Sequence, residues 1–530
     1  MRRTTLMLTI CALLVQQAAA HFSFVLPQPG QDRALLVISE VLQPDPNVNI
    51  DILKDTRLAL HRPGQEPHPL PLQSSKNAFA VELPAKAEGV IAGLAPLGIQ
   101  SRGGKTYRLT YHPKTILGDP FAPSVPKTNA PVELLPAGKP GTFAFRLLIQ
   151  GKPAEGAEVT VLLPDGTEEK MVTAADGTTP ALSQWGRFGA WARYWDSTPG
   201  QENGKSFDET RHYATIVCDV LPSASALPAM PQAVASFGAA ADGGFLYVYG
   251  GHVAPVHQYS TEAVTGAFRR LNLTTRQWEP LPSGPALQGM NLAVHNGKIY
   301  RAGGMQPRNA PGAPADNHSV DTVARFDPAT GRWEEMAPLP EPRSSHDVAV
   351  VGNWLIVTGG WKMQGAGASS DYAKTVSMMN LAAAKPVWEE IPQPFRTRAH
   401  ISVAHEGRLY VLGGFTDQNL VSNEVHILDP ESRTWTKGPR LPARGQDAFA
   451  PAGVSADGQL YVSLGPGSIY RLSSDAEHWH FAALATPRIS HRMTAAHGHL
   501  LIAGGAARGG NLDLVEAIPL RLNEDTAARR

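Results

Sequence analysis

Cysteine is scarce in this sequence. Only Cys11 and Cys218 occur among its 530 residues. Cys11 lies in an apolar segment at the N-terminus, so removal of that segment would leave Cys218 without a partner. A fold stapled by disulfides is excluded, and stability must come from large apolar cores. Cys218 lies in the apolar run 215–220, which predicts a buried strand thiol rather than a nucleophile.

Net charge is absent as well. The chain has 47 Lys and Arg residues against 47 Asp and Glu residues. Such a balance gives no general attraction for nucleic acid or for an anionic membrane surface. Beyond residue 20, no run approaches the roughly 20 consecutive apolar residues that a bilayer-spanning helix needs. We therefore expect no nucleic-acid partner and no membrane span.

Familiar catalytic motifs are missing too. The sequence contains no G-x-S-x-G, no H-E-x-x-H and no convincing pair of catalytic carboxylates. We therefore expect a binding protein rather than an enzyme.

The first residues have the parts of a secretory signal. Arg2 and Arg3 precede an apolar core at 6–15, and Ala18-Ala19-Ala20 is a small-residue cleavage site. We expect residues 1–20 to be a signal peptide and the protein to be exported, to the periplasm or outside the cell. Cleavage there would make His21 the mature N-terminus, where its α-amine and ring nitrogen could chelate copper or nickel.

The C-terminal half repeats one short phrase, an apolar strand that runs into paired glycines. The pairs are Gly250-Gly251, Gly303-Gly304, Gly359-Gly360, Gly413-Gly414 and Gly504-Gly505, with a degenerate copy at Leu464-Gly465. Turn signals precede most copies, and a tryptophan follows most of them. This pattern predicts six repeats of about four strands over residues 222–521, followed by a tail at 522–530.

These repeats resemble the kelch repeat of β-propellers. The resemblance implies a six-bladed kelch propeller, in which paired glycines allow close backbone approach and tryptophans fill the space between blades. The sixth repeat lacks its outer strand. The segment 224–231 resembles the stretch that follows each tryptophan, so we expect it to pair with the last blade and close the ring.

The N-terminal half has strand patterns and no helical periodicity. A proline-rich break near residues 120–131 divides it into two units, 21–128 and 129–221, each the size of an immunoglobulin-like sandwich. The expected fold class is therefore all-β, with two small β-sandwich units preceding a six-bladed propeller.

Three parts of the N-terminal half resemble the DUF4198 group of exported proteins, which is related to a periplasmic nickel-uptake component. They are the opening at 21–27, Glu40 at the end of the first strand, and the segment 209–215 that contains His212. The resemblance implies a copper or nickel site formed by His21 and His212, with Glu40 as a further ligand or as a partner of one. The alternative is that His212 is an edge-strand residue and Glu40 a solvated strand end. His112 is expected at the surface.

A second candidate site precedes the first strand of several repeats, where arginine and histidine recur. An inward ring of such side chains could hold a carboxylate, an acidic sugar or a peptide terminus. The alternative is that these side chains tie neighbouring blades together. The candidates are Arg343, His346, Arg398, His400, Arg444, Arg488 and His491.

We expect an exported protein with a transition-metal site and a propeller that acts as a docking platform for a protein or carbohydrate ligand. The alternative is a carbohydrate-active propeller that resembles the sialic-acid mutarotases. A copper-radical oxidase of the kelch class is excluded, because that class needs a propeller cysteine and residues 222–530 contain none.

Overall fold

The computed structural model describes residues 21–123, 125–139 and 141–520. The predicted signal peptide and tail lie outside these residues. The described chain is all-β, as predicted, and its one helical element is a 3-10 turn at Ile50–Leu53. None of the described residues belongs to a helix long and apolar enough to cross a membrane.

Seventeen described strands lie between residues 21 and 220. They are β1 Phe22–Pro27, β2 Arg33–Ser39, β3 Arg57–His61, β4 His68–Leu70, β5 Gln73–Ser75, β6 Ala78–Glu82, β7 Gly89–Arg102, β8 Lys105–Leu117, β9 Val132–Lys139, β10 Thr142–Ile149, β11 Lys152–Pro153, β12 Glu158–Leu162, β13 Glu168–Val172, β14 Gly186–Asp196, β15 Gly200–Glu202, β16 Lys205–Phe207 and β17 Glu209–Val220.

One long sheet runs through the whole N-terminal half. Its strand order is β13-β12-β14-β17-β8-β7-β3-β4, and β8 and β17 pair in parallel. A four-stranded sheet, β1-β2-β6-β5, and a three-stranded sheet, β11-β10-β9, accompany it. The long sheet takes strands from both of the predicted units. The two units that the sequence analysis separates near residue 128 therefore share one sheet in the structure.

The long sheet has an apolar core on each face. On one face, Phe22 and Phe24 of β1 pack with Val217. On the other face, Phe145 of β10 packs with Cys218. Neighbouring residues of β17 face different cores because side chains alternate along a strand. Cys218 is buried, as predicted, and burial raises the pKa of its thiol.

The C-terminal half contains thirty-two described strands. They are β18 Ser225–Ala226, β19 Gly238–Asp242, β20 Phe245–Tyr249, β21 Phe268–Asn272, β22 Gln277–Leu281, β23 Leu292–His295, β24 Lys298–Ala302, β25 Met305–Pro307, β26 Asn317–Ser319, β27 Val323–Asp327, β28 Arg332–Met336, β29 Asp347–Val351, β30 Trp354–Thr358, β31 Trp361–Lys362, β32 Asp371–Tyr372, β33 Thr375–Asn380, β34 Trp388–Pro392, β35 Thr397–Arg398, β36 Ile401–His405, β37 Arg408–Leu412, β38 Phe415–Thr416, β39 Val425–Asp429, β40 Thr434–Lys437, β41 Ala452–Ala456, β42 Gln459–Ser463, β43 Ser468–Leu472, β44 Trp479–Leu484, β45 Arg492–Ala496, β46 His499–Ala503, β47 Ala506–Ala507, β48 Gly510–Asn511 and β49 Val515–Pro519.

Most of these strands form four-stranded antiparallel sheets, numbered here first to sixth along the chain. The orders are β19-β20-β21-β22, β23-β24-β27-β28, β29-β30-β33-β34, β36-β37-β39-β40, β41-β42-β43-β44 and β18-β49-β46-β45. The strands β19, β23, β29, β36, β41 and β45 contact one another in a closed cycle. This is the sheet arrangement of a β-propeller.

The sixth sheet is completed by the segment that precedes the first sheet. Ser225 and Ala226 of β18 pair with Ala517 and Glu516 of β49. Leu227 N–H extends the pairing by donating to Val515 O at 2.9 Å. The predicted pairing of segment 224–231 with the last repeat is confirmed.

A ring of backbone hydrogen bonds also links the six sheets. Its members each precede the first or innermost strand of one sheet and have a positive φ between 47° and 64°. Each N–H donates to the carbonyl of the preceding member at 2.7–3.2 Å, and the last carbonyl accepts from the first N–H. The members are Ser236, Gly289, Ser345, Ala399, Ala450 and Ser490. The left-handed conformation, which favours small or polar residues, allows this closure.

The N-terminal half packs against the fifth sheet. Gln31, in the β1–β2 turn, donates through Nε2 to Asp447 Oδ2 at 3.1 Å. Gly30 in the same turn approaches the backbone so closely that a Cβ would lie 2.5 Å from Pro466 O. Arg187 of β14 lies over the ring of Phe481 on β44, with 5.3 Å from its Cζ to the ring centroid.

Candidate functional site

Five of the seven predicted propeller residues are buried rather than open to a ligand. Three are histidines, and each bonds through Nε2 to the preceding sheet. His346 contacts Ala302 O at 2.9 Å, and His400 contacts Thr358 Oγ1 at 3.0 Å. His491 contacts Ser463 Oγ at 2.9 Å. Burial lowers the pKa of each of these histidines to about 3, so they stay neutral.

The two buried arginines bond within their own sheets. Arg343 donates to Thr375 O at 2.9 Å. Arg488 pairs with Glu516 and donates to Gly504 O at 3.2 Å. The expectation that Arg343, His346, His400, Arg488 and His491 line an open mouth is corrected, because all five side chains are at most 3% exposed. The Nδ1 atoms of the three histidines are buried without a hydrogen-bond partner among the described residues.

Arg398 and Arg444 are the two predicted residues that reach the surface. The guanidinium of Arg398 lies over Trp361 at 4.1 Å and over Phe415 at 4.8 Å. Its Nε donates to the Tyr372 hydroxyl at 3.2 Å. Arg398 forms no ion pair with any described residue. Its charge is therefore held between aromatic rings and is available to an anion.

Arg398 belongs to the loop face, which we define as the surface built by the segments that follow the paired glycines. These include the hairpins β25–β26, β31–β32 and β47–β48, and β38 paired with β35. Neighbouring segments are tied together by Asn309 Nδ2 to Tyr259 O at 2.6 Å, and by the Tyr372 hydroxyl to Thr416 O at 3.1 Å. Asn511 Nδ2 similarly donates to the His252 carbonyl at 3.0 Å. The rim of the loop face is therefore a linked series of segments.

The fifth sheet departs from this pattern. Its second and third strands are joined by a tight turn, in which Gly467 N–H donates to Leu464 O at 2.9 Å. The β1–β2 turn of the N-terminal half lies there instead, against Pro466 and Asp447. The N-terminal half thus contributes to the loop face where the propeller has no hairpin of its own.

His21 and Glu40, two of the predicted metal ligands, do lie close together. Glu40 Oε1 is 3.7 Å from His21 Nδ1. Asp45, which the sequence analysis missed, places Oδ2 3.0 Å from His21 Nε2. The hydrogen bonds of Asp45 to Asn47 and His21 hold its pKa below the usual range.

His212, the third predicted ligand, lies elsewhere. Its neighbour Tyr213 packs beside Phe22, whereas the His212 ring stacks on Tyr194 at 6.0 Å between centroids. Adjacent residues on one strand point to opposite faces of a sheet. His21 and His212 are therefore separated by the long sheet, and the predicted pairing of these two histidines is wrong.

The partner of His212 is His112, which was expected at the surface. His112 is only 8% exposed, and its Nε2 lies 3.0 Å from His212 Nδ1. Burial, followed by the nearby His212, lowers the pKa of His112 to about 4. Burial also lowers the pKa of His212. Within the described parts of the chain, no cluster of three or more His, Cys, Asp or Glu side chains is arranged to hold a metal ion.

Comparisons with known proteins identify the repeats. The Kelch motif family matches residues 287–340 and 396–442. The chain is 26% identical over 272 residues to N-(sulfonatooxy)prop-2-enimidothioate sulfolyase of Thlaspi arvense, over 46% of this chain and 72% of that protein. It is 31% identical over 153 residues to human Kelch-like protein 33, over 28% of this chain and 27% of that protein.

Two further similarities were found. The chain is 30% identical over 210 residues to Kelch-like protein terF of Aspergillus terreus, over 38% of this chain and 42% of that protein. The solved structure of YjhT is 16% identical, with a TM-score of 0.44 over 55% of this chain and 96% of that one. The chain spans less than half the length of both kelch-like relatives. Its C-terminal half contains a kelch repeat region.

Proposed function

We propose that this kelch-repeat protein is a binding protein, in which six blades form one propeller and the loop face docks a partner protein through Arg398. The observation that carries the proposal is the placement of an unpaired guanidinium between Trp361 and Phe415. Arginine and aromatic side chains dominate the binding energy of protein interfaces. Their joint presence at the rim of the loop face supports a docking role.

The partner group expected at Arg398 is a carboxylate. A guanidinium can bind a carboxylate through two parallel hydrogen bonds, and the rings on either side exclude water from that contact. The hydrogen bond from Nε to Tyr372 fixes one edge of the guanidinium and leaves the other nitrogens for the ligand. An acidic side chain or a chain terminus of the partner fits this geometry.

Substitution of Arg398 tests the proposal. We expect Arg398→Ala to weaken partner binding by about 2 kcal/mol, or roughly 30-fold, because it removes the charge from a protected contact. The matched control is Arg444→Ala, since Arg444 is exposed and lies outside the aromatic cluster. Affinity would be measured by surface plasmon resonance with the partner purified on wild-type protein. Equal affinity of wild type and Arg398→Ala would contradict the proposal.

An acidic sugar is the alternative ligand, as in a mutarotase-like propeller. Arg398 offers the same cation for a sugar carboxylate, and Trp361 presents an aromatic ring beside it. The same two variants distinguish the alternatives, with anomer exchange followed by NMR as the readout. Faster exchange with wild type than with Arg398→Ala would favour the sugar over the protein partner.

Export to the periplasm or outside the cell also remains a proposal, supported by residues 1–20. So does a copper or nickel site, now restricted to His21 and Glu40, because Asp45 contacts Nε2 on the other side of the His21 ring from Nδ1. These groups fit a metal only in part, because they supply one ring nitrogen and one carboxylate group. The α-amine exposed by cleavage at residue 20 would add a second nitrogen.

The two predicted histidine ligands provide a matched pair of variants for the metal proposal. We expect His21→Ala to lose copper or nickel, whereas His212→Ala should retain it because His212 faces the other side of the long sheet. The measurement is elemental analysis of the exported protein, with N-terminal sequencing of the same sample. Equal loss in both variants, or a terminus other than His21, would contradict this site.

A further inference from the structure

The proposed function does not use a cavity of about 870 Å³ in the N-terminal half. It lies among β3, β4, β7, β8 and the segment 128–134. A volume in this range is typical of sites for small organic ligands. Its wall is mostly apolar, with contributions from Leu58, Leu70, Leu72, Leu94, Val132 and Leu134.

An ion pair is buried in this apolar wall. Lys114 Nζ lies 2.7 Å from Glu133 Oε1, and both side chains are 4% exposed. The same Oε1 accepts from Thr128 N–H and from Thr128 Oγ1, each at 2.8 Å. An ammonium group has three donors, and Lys114 uses one of them within the described structure. Lys114 therefore retains hydrogen-bonding capacity beside the cavity.

The charge of the wall is positive. Lys54, Arg57 and Lys114 contribute three cations against the carboxylate of Glu133. His61 also lines the cavity, and its pKa is lowered by burial and by the nearby charge of Lys114. A positive, largely apolar cavity attracts anions that carry an apolar body.

A purely structural role explains this ion pair poorly. Removing two charges from water costs about as much as their attraction returns, so a buried pair adds little net stability compared with apolar side chains. The wall around the pair is already apolar, and leucine or methionine could have completed it. His112 lines the same cavity and is oriented by His212, which gives the site a second fixed polar group.

We propose that this cavity binds a small organic carboxylate. The carboxylate group accepts hydrogen bonds from Lys114, and an aliphatic or aromatic body packs on the leucines of the wall. Glu133 and Thr128 hold the lysine in place before the ligand arrives, which reduces the entropy lost on binding. This site is independent of the loop face and of the metal proposal.

The test uses three probes that share a straight eight-carbon chain and differ in the polar group at its end: octanoate, octanol and octylamine. With the full-length protein, we expect octanoate to bind at least 10-fold more tightly than octylamine in isothermal titration calorimetry. The double variant Lys114→Met/Glu133→Leu replaces the ion pair with apolar side chains of similar size, so the fold should be retained. It should bind octanoate at least 10-fold more weakly than wild type and octanol about equally.

A second pair of variants tests the proposal if the double variant does not fold. Leu94 lies in the cavity wall and is 43% exposed, so substitution there is tolerated. Leu94→Glu should weaken octanoate binding, whereas the uncharged Leu94→Gln should weaken it less. Arg398→Ala should leave octanoate binding unchanged. No binding to wild type, or equal affinity for octanoate and octylamine, would overturn the proposal whatever happens at the loop face.

Discussion

A charged pair lies inside the ring of sheets. Asp347 is fully buried, and its Oδ1 lies 3.7 Å from Arg492 Nη1. Arg492 also donates to Phe237 O and Met290 O, each at 2.7 Å, and Asp347 accepts from Ser402 N–H. Burial raises the pKa of Asp347 to about 6, although Arg492 and Ser402 oppose the shift. Asp347 and Arg492 thus connect five of the six sheets. Removing both charges from water opposes this stabilisation.

This raised pKa predicts a pH dependence of stability. The folded protein holds the Asp347 proton more tightly than the unfolded chain, so stability is lost as pH rises from about 4 to about 6. In Asp347→Asn this loss is absent. The free energy of unfolding of the variant relative to wild type should therefore increase over that interval, by at most about 3 kcal/mol. Urea denaturation of both proteins at several pH values measures the difference.

The matched control is Asp176→Asn. The pKa of Asp176 is lowered by its hydrogen bonds to Thr178, so its contribution to stability is present at neutral pH and lost in acid. The free energy of unfolding of Asp176→Asn relative to wild type should therefore decrease as pH rises, the opposite of the change expected for Asp347→Asn. If the stability of Asp347→Asn relative to wild type does not vary with pH, the raised pKa of Asp347 is contradicted.

The sequence spacing alone could have predicted that the Arg398 side chain points to a different side from those of Arg343 and Arg488. Arg343 and Arg488 precede a histidine by three residues, whereas Arg398 precedes His400 by two. In an extended segment, one residue of difference reverses the side on which a side chain lies. The first two arginines accordingly turn into their own sheets, and Arg398 turns toward the loop face.

Among the elements, those specified by local sequence were predictable. Glycine pairs, turn signals and apolar alternation located the strands of the repeat region and the pairing of β18 with the last sheet. The parallel pairing of β8 with β17 was not predictable, because these strands are brought together by the fold and no local signal marks them as partners. His112 is buried by that pairing, and the His112–His212 contact was missed for this reason.

The contribution of β18 to the sixth sheet can be measured. Leu227→Pro removes the N–H that bonds Val515 O, so we expect it to lower the free energy of unfolding by about 1–3 kcal/mol more than Leu227→Ala does. The alanine variant is the control, because it loses the side chain and keeps the N–H. Chemical denaturation gives the two values.

Loss of this pairing should also expose the edge of β49. An unpaired edge strand can pair with another molecule, so Leu227→Pro should form more dimers and aggregates than Leu227→Ala in light scattering. Equal stability and equal scattering of the two variants would show that this backbone pairing neither stabilises the sixth sheet nor protects the edge of β49.

At the scale of the whole molecule, the N-terminal half completes a surface of the C-terminal half. The short spacing of 39 residues between Gly465 and Gly504, against more than 50 for the other repeats, was a sequence sign that the fifth repeat lacks the longer segment after its second strand. That the β1–β2 turn lies at this point required the structure, because contacts such as Gln31 to Asp447 join residues 416 positions apart. A ligand bound at the loop face could therefore contact both halves of the chain.

The pairing of β18 with β49 has a consequence for synthesis. Ser225 and its partner Ala517 are separated by 292 residues. At about 5–20 residues per second, a ribosome needs roughly 15–60 s to make the intervening chain. Throughout that time the N-terminal half is complete while β18 has no partner. The nascent protein therefore passes through a state in which one half is able to fold and the other is still an open ring with exposed edges, the stage at which a chaperone would be most useful.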